Sequence, residues 1–149
     1  MKKMLKKKSK GFTLVELLIV IIIIGILAGM MMLSTGSATA KAEAAKIVSN
    51  MRNMKAAAVM VYADTNTWPS AIASLDEYID QKIDENKYTL ESEGDYIKFD
   101  VSTVEEEVQN SLGKLASSGV ALYTSPESGD ITSSDIYKGG EEGIYMPVK

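Results

Sequence analysis

A chain of 149 residues with no cysteine and no histidine has room for one small domain plus an anchoring segment; it excludes disulfides, thiolate metal sites, thiol nucleophiles and imidazole acid–base chemistry. The formal charge of −4 conceals a division: residues 1–11 carry six lysines and no acid, whereas from Asp64 onward 18 Asp and Glu face six Lys. So acidic a distal part is a poor surface for nucleic acid, because phosphate contacts need clustered Lys or Arg, and it reads as an ordinary solvated face.

The chain opens with Lys2, Lys3, Lys6, Lys7, Lys8 and Lys10, then turns apolar; Leu17 to Leu33 holds only aliphatic residues, Met and Gly. Phe12 to Leu33 is 22 residues, a helix of about 33 Å against a hydrocarbon core of about 30 Å. The run is too long for the apolar region of a cleaved secretory signal, and no clean A-x-A site closes it before the next helix begins. An ordinary anchor would keep the lysine-rich end in the cytoplasm and place residues beyond about 40 outside. A third reading puts a cut before the apolar run, not after it. Two residues bear on the choice. Glu16 lies inside the start of the run, where a carboxylate costs up to about 2.5–3.5 kcal/mol at mid-bilayer and is a functional candidate by default. Gly11 is a small residue at the junction of the basic and apolar segments.

Gly11-Phe12-Thr13-Leu14-Val15-Glu16, continued by LLIVIIIIGILAG behind a short Lys-rich leader, resembles the processing site and N-terminal helix of type IV pilins and their relatives, the type II secretion pseudopilins and competence pilins. The resemblance implies that a prepilin peptidase and N-methyltransferase cuts between Gly11 and Phe12 and methylates the new amine of Phe12. It also gives Glu16 a role: in the family this carboxylate meets the N-terminal amine of a neighbouring subunit, and a buried charge is tolerable when paired. The competing role for Glu16 is snorkelling to headgroups. Gly25 and Gly29 are four apart, the spacing that lets helices approach closely in lipid, and glycine is also an ordinary residue of membrane helices. Many pilins carry proline near the end of the apolar stretch. Here Leu33 occupies that place, so either the helix continues or its weak point moves to the small, polar segment 34–39.

Beyond that segment, apolar positions 40, 44, 47, 51, 54, 58 and 61 form one stripe at helical period, with Lys41, Lys46, Arg52 and Lys55 off it. A helix from Phe12 to Ala63 would have 52 residues and span about 78 Å. Asp64 to Pro69 ends it. Ser70 is placed to cap a short helix over Ala71–Leu75, with more helix around Tyr78. Lys87–Ser92 and Tyr96–Val101 flank Glu93-Gly94-Asp95 and predict a β-hairpin. Thr103 and Glu106 form a capping-box pattern for a helix over Val104–Ser118, with Val108, Leu112 and Leu115 inward and Gly119 as stop. Val120–Tyr123 and Ile144–Val148 are strand candidates. Residues 125–143 read as a surface loop, whose Glu127, Asp130 and Asp135 match no defined calcium loop and are expected to be solvated.

The expected fold is therefore α+β: a long N-terminal α-helix, membrane-spanning in its proximal half and amphipathic in its distal half, packed on a small antiparallel β-sheet head. The expected organisation is a cleaved leader (1–11), a transmembrane and filament-core helix (12–33), its amphipathic continuation (34–63) and a globular head (64–149). The resemblance implies a structural subunit, not an enzyme, of a type IV pilus serving adhesion, motility or aggregation. A secretion pseudopilin or competence pilin is the near alternative, and a single-span anchored protein the distant one. Its implied partners are the peptidase, other pilin subunits including minor pilins, the assembly platform and ATPase, and the membrane. No direct nucleic-acid contact, cofactor or metal is expected. The precursor is expected in the cytoplasmic membrane with its N-terminus inside and its head outside, and on the cell surface after assembly.

Overall fold

The seven-position stripe is buried along its whole length, from Ala40 to Val61, and Val48 and Ala57 widen it. In a computed structural model of the chain, which describes residues 11–91, 94–125 and 135–149, helix α1 runs Leu14–Thr65. Segment 34–39, where a break was one expectation, is helical. The chain divides into two compact units, Met1–Gly36 and Ser37–Lys149.

In the first unit none of the described residues covers the helix: its large apolar residues from Leu14 to Met32 are exposed, even Leu18 at 50%. In the second unit the helix ends at Thr65. Asn66 follows at φ 54°, and its N–H donates to the Tyr62 carbonyl at 2.8 Å. Asn tolerates this left-handed conformation better than most residues, so it stops the helix as glycine often does. The chain then folds back so that Trp68 stacks on Tyr62, ring centroids 4.4 Å apart.

Three strands, β1 (Tyr88–Glu91), β2 (Tyr96–Asp100) and β3 (Gly143–Pro147), form an antiparallel sheet in that order. The register pairs Tyr88 with Phe99, Leu90 with Ile97, Ile97 with Met146 and Phe99 with Ile144. With side chains alternating at period two, these six share one face. All but Leu90 are buried, and Leu90 packs against the same core as the α1 stripe. Burial of residues of this size contributes about 1.5–3 kcal/mol each, so stripe and sheet face together supply most of the core. On the other face Lys98 pairs with Glu91 at 3.9 Å and lies over the Tyr145 ring. Helix α2 (Glu106–Ser117) adds Val108, Leu112 and Ala116 to the core. Its end is a Schellman cap: Gly119, at φ 105°, donates to the Ala116 carbonyl and Val120 to that of Leu115.

Several local expectations are corrected. Ser70 caps nothing; Ile72–Leu75 is a 3-10 turn with Ala71 at its cap position and no side-chain cap bond. The tighter winding lines up residues three apart, which lets both Ile72 and Leu75 be buried. Around Tyr78 there is a turn instead of helix, and its hydroxyl donates to Asp64 at 2.7 Å. Thr103 does not open α2. Its hydroxyl donates to the Asp100 carbonyl, inside a 3-10 turn (Val101–Thr103) that Asp100 caps through Ser102. Val104 is extended, so α2 begins two residues later than the pattern suggests, behind Glu105. Leu115 is only partly buried, while Gly113 and Ala116 are buried. Val120–Tyr123 is not a strand; Tyr123 makes isolated bridges to Ile136 and Tyr145. The segment expected to be surface loop returns at Ile136–Lys138, and Tyr137 is wholly buried. Glu127 and Asp130 lie outside the described residues.

Candidate functional site

The candidate site is the start of α1. Gly11 and Phe12 precede the helix, and Phe12 is 89% exposed. A β-carbon on Gly11 would meet nothing within 4 Å, so no packing among the described residues requires glycine there. Thr13 is the helix N-cap in function. Its backbone N–H and its hydroxyl both donate to Glu16 Oε2, at 2.7 and 2.8 Å, and the Glu16 N–H donates to the Thr13 hydroxyl at 3.2 Å. This reciprocal pair is a capping box. Thr-x-x-Glu is its sequence signature, so the local sequence carries the signal for this box beside that of a charge in an apolar run.

The box has two consequences. It satisfies two orphan helix donors, the N–H groups of Thr13 and Glu16, which lowers the cost of placing a carboxylate beside lipid. It also holds Glu16 at the extreme N-terminal end of the apolar helix, three residues after Thr13 and four after Phe12. Gly25 and Gly29 lie further along, and a β-carbon on either would meet nothing within 4 Å. Both are open positions on an exposed helix. Among the described residues no group of three or more Asp or Glu is arranged to hold a metal ion. The helix is long and apolar enough to cross a membrane, with none of its most apolar window buried.

Residues 6–32 match the family described as the prokaryotic N-terminal methylation motif. The chain is 32% identical over 95 residues to the type II secretion system core protein G of Aeromonas hydrophila, 64% of this chain and 66% of that protein. It is 28% identical over 123 residues to a fimbrial protein of Neisseria meningitidis serogroup B, 83% of this chain and 70% of that protein. The chain belongs to the type IV pilin and pseudopilin superfamily. These two alignments leave about a third of each relative's length unmatched. The fold agrees: the major Type IV pilin PilA1 from Clostridium difficile superposes with a TM-score of 0.53 at 21% identity, covering 75% of this chain and 98% of that one. The relatives are fimbrial and secretion-system proteins by name.

Proposed function

We propose that the chain is a polymerising subunit of an extracellular type IV pilus filament. The observation that carries the reading is the fully exposed apolar run of α1 with one acid, Glu16, at its start. Such a surface is costly in water and has two places to go: lipid, or the same surface of other copies. In the precursor it lies in the cytoplasmic membrane, and the six lysines of the leader hold the N-terminus inside and the head outside. Cleavage between Gly11 and Phe12 removes those charges and creates an amine on Phe12, which is then methylated. Glu16 pairs with the amine of a neighbouring copy as subunits leave the membrane, and this pairing sets register while the apolar helices pack. Gly25 and Gly29 allow close helix approach. The boundary of the polymerising segment is the end of the apolar run at residue 33; residues 34–63 serve the head. An assembly ATPase and platform supply the work of extraction.

A second reading is a secretion pseudopilin that forms a short filament, favoured by the match to core protein G of Aeromonas hydrophila. Both readings share the processing step, which is tested first. Intact mass and N-terminal sequencing of chain extracted from cells that contain the peptidase should find a start at N-methylated Phe12. A chain still beginning at Met1 overturns both readings. Surface filaments composed mainly of this chain then decide for the pilus; their absence, with the chain required for export of other proteins, decides for the pseudopilin.

A further inference from the structure

Helix α2 carries opposite charges at its two ends. Glu105, Glu106 and Glu107 are exposed at its start, and Lys114 is exposed in its last turn. Lys114 stands between two adjoining grooves. One, of about 250 Å³, is lined by Lys41 of α1 with Ser111, Lys114 and Leu115. The other, of about 410 Å³, includes Lys114 and Lys138 in its lining. Three exposed lysines from distant parts of the chain thus share one surface, with apolar Leu115 in its wall. Among the described residues no carboxylate lines either groove. That is unusual for a chain whose residues from 64 onward hold 18 acids and six lysines. Among the described residues the ion pairs are Lys98–Glu91 and Lys149–Asp95, so neither the three lysines nor the three glutamates are paired.

The two ends do not meet within one copy: the seven to nine residues from the glutamates to Lys114 amount to about 10–14 Å of helix rise, and neither end has an ion-pair partner among the described residues. They can meet between copies. A basic patch and an acidic patch at separate places on one subunit form a head-to-tail contact, and contacts of that kind continue into open helical assemblies. We propose that the Lys41–Lys114–Lys138 surface receives the Glu105–Glu107 end of α2 from another copy of this chain in the filament. The inference rests on the filament reading above. Complementary charge fixes which faces meet and suppresses like-on-like arrangements. Exposed pairs act over a Debye length of about 8 Å at physiological salt. The contact therefore steers heads into register and is weakened by salt, while the apolar helices hold the polymer.

The chain has no cysteine, so Lys114→Cys and Glu106→Cys introduce its only thiols. Surface filaments of the double variant, treated with a short bis-maleimide, should yield an SDS-stable ladder of dimers and higher species. Neither single variant should yield more than a trace of dimer. Filaments without a ladder overturn the docking and leave the filament reading standing; a wild-type chain that never forms filaments overturns both. A second measurement uses charge reversal. Lys114→Glu with Lys138→Glu should lower filament yield several-fold, as should Glu106→Lys with Glu107→Lys, and combining all four should restore it. A combined variant no better than its parents assigns the patch to another occupant, such as anionic lipid headgroups, and overturns the proposal.

Discussion

The backbone carbonyl of Lys138 occupies the space that a side chain on Gly113 would need: a β-carbon there would lie 2.5 Å from the oxygen and 2.8 Å from the carbonyl carbon. This contact seats the segment before β3 against α2. The obstacle is backbone, so it cannot move aside as a flexible side chain would.

Gly113→Ala should therefore destabilise the head, by about 1–3 kcal/mol from overpacking. Within an unobstructed helix the same change would stabilise by about 1 kcal/mol, so the sign itself is diagnostic. Urea unfolding of the detergent-solubilised chain, followed by Trp68 fluorescence, measures it. An unchanged or raised midpoint would contradict the close approach.

Met51 and Met54 are wholly buried on the α1 stripe, whereas Met60 on the same helix is 52% exposed. Met54→Ala should cost about 2–5 kcal/mol through lost burial and a residual cavity. Met60→Ala should stay within about 0.5 kcal/mol of the parent. Equal effects at the two positions in the same unfolding experiment would refute the burial of the stripe.

Tyr88 is buried between α1 and the sheet, and its hydroxyl accepts from Asn50 Nδ2 at 3.1 Å. Burial pushes the Tyr88 phenol above its ordinary value, more than the bond from Asn50 lowers it, and the charge on Asp84 adds to the rise. Burial likewise raises Tyr137, with Glu141 contributing. A phenol raised in the folded state contributes stability that is complete below its unfolded pKa of about 10 and is lost as pH rises through the folded value. The melting temperature should thus fall from about pH 10 upward. Tyr88→Phe should flatten that fall without removing it, since Tyr137 remains. A melting temperature independent of pH in this window would count against both assignments.

Glu16→Ala removes the one acid at the start of the apolar run and the capping box together. It should leave cleavage after Gly11 intact and reduce filament yield sharply. Thr13→Ala removes only the hydroxyl's part of the box, and loss of an N-cap residue costs about 1 kcal/mol. It should have the milder effect. Normal filament yield from Glu16→Ala, scored by shearing and immunoblotting, would refute the pairing argument.

Much of this architecture is legible in the sequence because a few strong periodicities carry it. The α1 stripe keeps helical spacing for 22 residues without interruption, and Tyr88, Ile97, Phe99, Ile144 and Met146 alternate at period two. Gly119 is legible as a stop because its left-handed conformation suits glycine. What stays illegible depends on competition between local partners or on distant contacts. Thr103 appears free to cap α2 until Asp100 is seen to claim its hydroxyl. Tyr137 sits in a run of Ser, Gly and acids, so nothing local marks it as core; its N–H finds the Leu122 carbonyl across the fold. At the candidate site the Gly-Phe-x-x-x-Glu pattern is visible at once, while the Thr13–Glu16 bonds needed the helix start to be located. The lysine patch joins positions 41, 114 and 138, and no pattern in the sequence connects them.

The sheet's last strand also sets a timetable. The stripe at residues 40–61 is synthesised well before Ile144, Met146 and Val148, which share its core. Contacts of such long sequence separation form late. A nascent chain therefore lacks part of the cover over Met51 and Met54 until β3 has been made, and any truncation that removes β3 leaves a head whose stripe has lost part of its cover. The head thus reports, through its own stability, that β3 has been made and has docked.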